Sequence, residues 1–442
     1  MPIWEPDNEC IAKDGLRQVQ LERLQATLNR VCRNVSFYRR LFKEIDFRPE
    51  DDFTDLKDLE RLPFTTSQDV SDSYPYEMFA VPLREVVRVH SSSGTMTNPR
   101  VVGYTRQDLR TWSNLVARVL SAAGVVQDDV IQVAFAYGLL TGGLGVHYGA
   151  ERIGASVLPT SVGRTERQVK IMQDFRTTVL VSTPSYALVI ADRMEAMKVN
   201  PKTLSLKYCI CAGEPWTEAM RREIEERLFV KATDNYGISE VIGPGVAGEC
   251  LHQTGMHLNE DHFYAEIIDP ESGRVLGPGV QGELVITTLT KEAFPVIRYR
   301  TGDLTSILEQ PCACGRTMRS ISRIVGRSDD VVVIKGINII PARIGDILEQ
   351  IGGQRPAFQL VAVREKHRDQ LEIRVEITEG FFRDKMREQR TVVESIQQKV
   401  ANFIGISPRI KLVEGGSLER EQGRIRPFVD LRGREGREGG GE

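Results

Sequence analysis

The chain has 442 residues, enough for two or three domains around a large core. Its 58 basic and 61 acidic side chains leave a net charge of −3, which encodes no general attraction to nucleic acid. No apolar run approaches the roughly 20 residues of a membrane span, so no membrane partner is expected. The start, MPIWEPDNEC, lacks a basic stretch followed by an apolar core, and the seven cysteines are unevenly spaced. The expectation is a cytoplasmic protein with reduced thiols rather than a disulfide framework.

Taken in order, residues 15–47 carry Leu16, Val19, Leu21, Leu24, Leu28 and Val31 at helical spacing, which predicts a helical start. From about 85 to 230, short Val- and Ile-rich runs alternate with amphipathic stretches. The runs VIQVAFAY (130–137), SVLPT (156–160), TVLVSTPS (178–185) and YCICAG (208–213) read as strands. RTERQVKIMQDF and EAMRREIEERL read as helices between them. This alternation predicts an α/β domain with a largely parallel sheet. Residues 264–308 are strand-rich and predict a smaller antiparallel subdomain. After GRSDD (326–330) the order strand, helix, strand, strand, helix, strand predicts a compact α+β module of about 100 residues. The expected division is 1–328, 329–432 and a Gly-rich, charged, disordered tail, 433–442.

Five segments carry chemistry. SSSGTMTNP (91–99) offers hydroxyls and turn-forming backbone, which can hold phosphate oxygens, but it has no Lys. AGEPW (212–216) follows a strand. DNYGISEVIGPG (234–245) presents an aromatic ring, a turn Gly and Glu240. A Tyr face can stack on a purine, and a Glu beside a phosphate loop can hold Mg²⁺. YRTGD (299–303) ends in Asp303, a carboxylate that can take both hydroxyls of a ribose. RIVGRSDDVVVIKG (323–336) contains Arg327, Asp329 and Lys335. Singly, each of these is more often an ordinary turn or a solvated carboxylate.

In this order and spacing the set resembles the adenylate-forming enzymes, and within them the phenylacetate-CoA ligase branch. YGLLTGGLGVHYGAERIGASVLPTS, NEDHFYAEIIDP and GELVITTLTKEAFPVIRYRTGDLT extend the resemblance from about residue 20 to 432. The resemblance implies a large N-terminal AMP-binding domain with mixed sheets and a small, mobile C-terminal α+β domain. It implies ATP-dependent activation of a carboxylic acid, aromatic by the branch, through an acyl-adenylate, then transfer to CoA with release of AMP.

By the same resemblance Ser92, Ser93, Gly94 and Thr95 sit at the phosphates, and Glu214 and Pro215 beside adenine and the acyl pocket. Tyr236, between Asn235 and Gly237, lies against adenine. Glu240 faces Mg²⁺, Asp303 holds the ribose with Arg327 nearby, and Asp329 is the hinge. Phe135, Tyr137, Gly142 and Gly143 line the acyl pocket. Two departures stand out. The family loop has Gly and Lys where this chain has Thr97 and Asn98, and Arg424 takes the position of the Lys that serves adenylation. Arg keeps the charge but is longer and planar, so a slow first half-reaction is expected. Lys335 is a further candidate cation.

PCACGRT is a C-x-C turn that can present Cys312 and Cys314 to one ion. With Cys250 and His257 upstream it would make a closed Cys₃His zinc site; unligated thiols are the alternative. His257 is preferred to His252 because GMHLNEDHF matches the family's His. Cys209 and Cys211 read as core thiols, and His147 and His262 as packed or surface residues. The acceptor stays open: CoA, a carrier protein, or a hydroxyl as in coenzyme F390 synthetases. A degenerate homologue that binds without turnover is a third reading, and relatives suggest a homodimer.

Overall fold

The computed structural model describes residues 2–91, 99–329, 332–352, 355–365, 367–376, 386–414, 417–421 and 424–432. The expected tail, 433–442, lies outside the described residues. The described residues divide between Ser328 and Asp329 into two compact units.

After a short helix Pro6–Glu9, the first unit continues with helices Lys13–Asn34 and Ser36–Glu44, where the apolar spacing predicts them. Leu24, Leu28 and Val31 are fully buried, the stripe expected of an amphipathic helix laid on a core. The pair β1 (Arg88–Ser91) and β2 (Val101–Tyr104) is antiparallel and flanks residues 92–98.

The central sheet begins with β3 (Val130–Val133), β4 (Ser156–Leu158), β5 (Val179–Ser182), β6 (Tyr208–Ala212) and β7 (Lys231–Ile238). One helix connects each to the next: Thr141–Ile153, Thr165–Asp174, Pro184–Ala196 and Glu218–Leu228. These strands pair in parallel, in the order β7-β6-β5-β3-β4. Ile131, Val133, Val179, Val181, Cys209 and Ile210 are fully buried because helices cover them. Cys209 and Cys211 are fully buried.

Helix starts are fixed by short polar side chains. Thr183 accepts from Tyr186 N with Pro184 in the first turn, and Thr217 accepts from Met220 N. Thr105 and Asp108 cap helix Arg106–Ala122 reciprocally. The buried Asp108 also accepts from the backbone N–H groups of Glu292 and Ala293, at 2.7 and 2.9 Å.

Beyond β7 the sheet turns antiparallel through β8 (Gly243–Glu249) and β9 (Met256–Leu258). A second sheet contains β10 (Phe263–Ile268), β11 (Gly282–Thr288) and β12 (Tyr299–Thr305). The short strands β13 (Ile307–Leu308) and β14 (Ser320–Ile321) extend the central sheet to nine strands. β15 (Gly326–Arg327) closes the second sheet in the order β10-β11-β12-β15, all antiparallel. The strand takes in only the first two residues of GRSDD.

The second unit holds β16 (Val332–Ile334), β17 (Ile337–Ile339), helix Pro341–Gly352, β18 (Phe358–Glu365), β19 (Arg368–Glu376), helix Met386–Ile404 and β20 (Arg409–Val413). It ends with β21 (Arg420–Glu421), β22 (Arg424–Ile425) and β23 (Phe428–Asp430). Its four-stranded sheet runs β20-β19-β18-β23. Where the order expected after GRSDD opens with a single strand, there is a hairpin. Lys335 and Gly336 both take positive φ, 52° and 74°, which reverses the chain in two residues.

No helix among the described residues is long and apolar enough to cross a membrane.

Candidate functional site

In the first unit, the chemistry-bearing segments gather at the ends of β6 and β7 and along β12 and β15. β12 places Asp303 directly opposite Arg327 of β15. Arg327 Nη1 donates to Asp303 Oδ1 at 2.6 Å, and its Nη2 donates to the Thr301 carbonyl at 2.9 Å. The Tyr236 hydroxyl donates to the other carboxylate oxygen at 2.7 Å. Asp303 is therefore held from two sides, with Gly302 at φ 77° supplying the bend before it. Burial and the facing carboxylate push the Tyr236 phenol well above its ordinary range, so it stays a donor.

The turn after β7 carries Glu240. A glycine is required at its base: a Cβ on Gly237 would lie 2.0 Å from the Gly243 carbonyl oxygen. Two buried aromatics fix the carbonyls that follow. Tyr104 donates to Ile242 O and Trp112 Nε1 to Pro244 O, both at 2.9 Å. Their rings stack at 4.9 Å. Thr141 and Ser239 hydroxyls meet at 3.0 Å, tying the start of helix Thr141–Ile153 to the same turn. Glu240 is buried and forms a 2.8 Å ion pair with Arg100, a residue the sequence reading does not select.

After β6, Ser185 Oγ donates to the buried Glu214 carboxylate at 2.7 Å. The Phe135 ring lies against Gly142 and Gly213: a Cβ added to either would sit 3.6 Å from it. Gly143 packs on backbone, where a Cβ would be 2.7 Å from Ala136 O. Phe135, Gly142 and Gly213 thus share one wall with the Glu214 turn. Tyr137 turns its hydroxyl to His147 Nδ1, 3.3 Å away. Asn235 is buried, and among the described residues neither atom of its amide has a partner. Such a group is costly unless something bonds to it.

Ser92, Ser93, Gly94 and Thr95 lie outside the described residues, as does the Arg424 side chain; Arg424 itself lies in β22. Asp329 is the first residue of the second unit, and Lys335 sits at the β16–β17 turn.

Four soft ligands converge apart from these residues. Cys250, His257, Cys312 and Cys314 present atoms that all lie within 4.8 Å of one another. Cys314 Sγ is 3.4 Å from His257 Nε2, and Cys250 Sγ is 3.5 Å from Cys312 Sγ. The edges of a tetrahedron with zinc–ligand bonds of 2.0–2.3 Å are about 3.3–3.8 Å, so the donor set fits Zn²⁺. Ser320 Oγ lies 3.1 Å from His257 Nδ1 and can hold the ring. Hydrogen bonds from Cys250, then His257, pull the Cys314 thiol far down, while Cys250 is pushed up. His252 is exposed and outside the group.

A buried charge network braces β7 from behind. Arg221 donates to both oxygens of Glu249 at 2.8 Å, and Glu249 also accepts from Asp234 N. Burial, then the Glu249 carboxylate, raise the Asp234 carboxyl to about 7. Between pH 4 and 7 the folded chain therefore holds a proton that the unfolded chain has lost, and stability falls as pH rises through that window. Asp234→Asn is expected to remove this slope and to be more stable by about 4 kcal/mol at pH 8. Urea unfolding of both proteins from pH 4 to 8 checks it; parallel curves would refute it.

Comparison with known proteins decides the family. The AMP-binding enzyme model matches residues 52–290, and the AMP-binding enzyme C-terminal domain model matches 336–432. The chain is 44% identical to the phenylacetate-coenzyme A ligase of Thermus thermophilus, over 97% of this chain and all of that protein. It is 45% identical to the enzyme of the same name from Escherichia coli, over 96% and 97%. The chain belongs to the phenylacetate-coenzyme A ligase family of AMP-binding enzymes. A crystal structure of 2-hydroxyisobutyryl-CoA ligase with 2-HIB-AMP and CoA superposes on this family member with a TM-score of 0.92. That match has 30% identity and covers 98% of this chain and 93% of the other. The mixed-sheet AMP-binding fold expected from the sequence is thus the one observed.

Proposed function

We propose that this chain is an AMP-forming acid–thiol ligase that joins phenylacetate or a closely related aryl acid to CoA. The observation that carries the reading is identity of 44–45% along almost the whole chain to phenylacetate-coenzyme A ligases. The acid's carboxylate attacks the α-phosphorus of ATP, pyrophosphate leaves, and the CoA thiolate then displaces AMP from the acyl-adenylate.

Asp303 is read as the ribose ligand, with Arg327 and Tyr236 fixing both of its oxygens before nucleotide arrives. That arrangement lowers the ordering cost of binding. The Tyr236 ring, the Asn235 amide and the turn at Gly213, Glu214 and Pro215 are read as the adenine surroundings. An unpartnered buried amide supports a ligand bearing adjacent donor and acceptor atoms. Phe135 with Gly142 and Gly143 is read as the aryl wall: Gly142 adds no side chain beside the Phe135 ring, and Gly143 lets the helix pack on the Ala136 carbonyl. Tyr137 has its hydroxyl on His147 and is read as flanking that wall.

Glu240 is read as the carboxylate for Mg²⁺, whose chemistry when bound is to neutralise charge on the phosphates. Ser92, Ser93, Gly94 and Thr95 are read as phosphate contacts, Asp329 as the hinge, and Arg424 and Lys335 as cations of the two half-reactions. Zn²⁺ is read as a structural ion on Cys250, His257, Cys312 and Cys314.

Product analysis by mass spectrometry tests the reading. Purified protein is given ATP, Mg²⁺, CoA and a panel of aryl and alkyl acids. AMP appearing together with an aryl-CoA thioester is expected. AMP without a thioester would overturn CoA as acceptor. In the same assay Arg424→Lys is expected to raise the rate of pyrophosphate release, because Lys delivers a compact charge where Arg is longer and planar. An unchanged or slower rate would refute a handicap at Arg424.

A further inference from the structure

The segment assigned to the phosphates, Ser91–Pro99, contains neither Lys nor Arg, and the next residue is Arg100. Its guanidinium is not left in solvent. The Arg100 side chain is 14% exposed and lies 2.8 Å from Glu240 Oε1, on a side chain 7% exposed. The same guanidinium donates to the Tyr299 phenol oxygen. Arg100 thus bridges the turn that carries Glu240 and the first residue of β12, the strand that carries Asp303.

Asp303 and Glu240 are thus each paired with an arginine: Asp303 with Arg327 at 2.6 Å, and Glu240 with Arg100 at 2.8 Å. The two couples differ in what a ligand asks of them. A ribose hydroxyl can share Asp303 with Arg327, because it brings no charge. A divalent cation cannot share Glu240 with Arg100 so easily. It would stand within about 5 Å of a second positive charge in a site of low polarity. A triphosphate arriving with the cation offers the guanidinium another anionic acceptor. Moving from carboxylate to phosphate exchanges one charge-assisted hydrogen bond for another, and Arg suits both partners.

We propose that Arg100 is a phosphate-binding residue of the adenylation site, held on Glu240 until nucleotide arrives, and that its transfer to a phosphate oxygen opens Glu240 to the divalent cation. The chain thereby supplies from Arg100 the positive charge that its loop lacks. This proposal rests on the reading of Glu240 and Asp303 as the nucleotide site.

The test uses the full chain and two binding probes: Mn²⁺ alone, followed by electron paramagnetic resonance, and ATP in EDTA, followed by calorimetry. Arg100→Met is expected to bind Mn²⁺ without nucleotide at least about tenfold more tightly than the parent, because Glu240 is uncapped. It is expected to bind ATP in EDTA at least about tenfold more weakly, because the phosphate contact is gone. Arg100→Gln keeps a donor for Tyr299 and is expected to give both signs should the Met variant not fold. An unchanged Mn²⁺ affinity would overturn the capping of Glu240, and an unchanged ATP affinity the phosphate contact; either overturns the proposal. Glu240→Gln separates this from the underlying reading. If that variant binds Mn²⁺ together with ATP as the parent does, the assignment of Glu240 to the nucleotide site fails, whatever Arg100 does.

Discussion

Asp303→Ala is expected to lower kcat/KM for ATP by about 10²–10³-fold, the largest effect of any single substitution in the first unit. Two hydrogen bonds that ribose hydroxyls donate to a carboxylate are each worth about 1.5–3 kcal/mol in a buried site. The side chain is 10% exposed and accepts from Tyr236 and Arg327 in the free protein. On the proposed reading its removal is expected to cost ribose recognition and to unfix the two groups that flank it. Asp303→Asn is expected to fall between, since one oxygen still accepts while the amide faces Arg327. A structural role alone would lower activity with every nucleotide alike. The discriminating measurement compares ATP with 3′-deoxy-ATP. The parent should prefer ATP by at least about tenfold, and Asp303→Ala should show no preference, because the acceptor of that hydroxyl is gone. A variant that still discriminates as the parent does would remove Asp303 from the ribose.

Loss of the Cys₃His site should have the largest effect on stability. The four ligands come from separate places: Cys250 just after β8, His257 in β9, and Cys312 and Cys314 between β13 and β14. An ion there ties the loop between β13 and β14 to the antiparallel end of the central sheet. Protein purified without chelator is expected to carry one zinc per chain. Cys314→Ser should lose the zinc and melt about 10 °C lower, as expected for a few kcal/mol lost from a unit of this size. Cys32→Ser, a cysteine outside the group, should keep both. Zinc well below one per chain in the parent would refute the site and leave a cluster of reduced thiols. Chelation of the parent should reproduce the Cys314→Ser melting temperature, and activity measured well below both transitions should change little, since a closed site offers no open position to a substrate.

The local patterns were readable from the chain alone, and for reasons that are local. Leu24, Leu28 and Val31 fall on one face because 3.6 residues make a turn, and that face is buried. Short Val- and Ile-rich runs between helices can only be covered strands, so β3 to β7 follow from their pattern. The C-x-C turn limits what Cys312 and Cys314 can do. The hairpin at Lys335–Gly336 was missed because an apolar run does not announce a reversal when its turn holds only two residues.

What the tertiary structure decided is which groups face each other. Nothing between residues 236 and 327 says that Tyr236 and Arg327 take opposite oxygens of Asp303; the pairing of β12 with β15 does. The choice of His257 over His252 rests on resemblance alone until the pairing of β9 with β14 brings His257 to the thiols. Arg100 shows the difference most clearly. Its sequence signal, a cation next to a hydroxyl-rich loop that lacks one, is ordinary. Its meaning comes from Glu240, 140 positions away, and charge pairs of that kind are set by packing rather than by neighbours in the chain. The sequence determined the family, the elements and the kinds of side chain available. The folded sheets decided which acid meets which arginine, because a Coulombic pair depends on distance and burial, and only the packed chain has either.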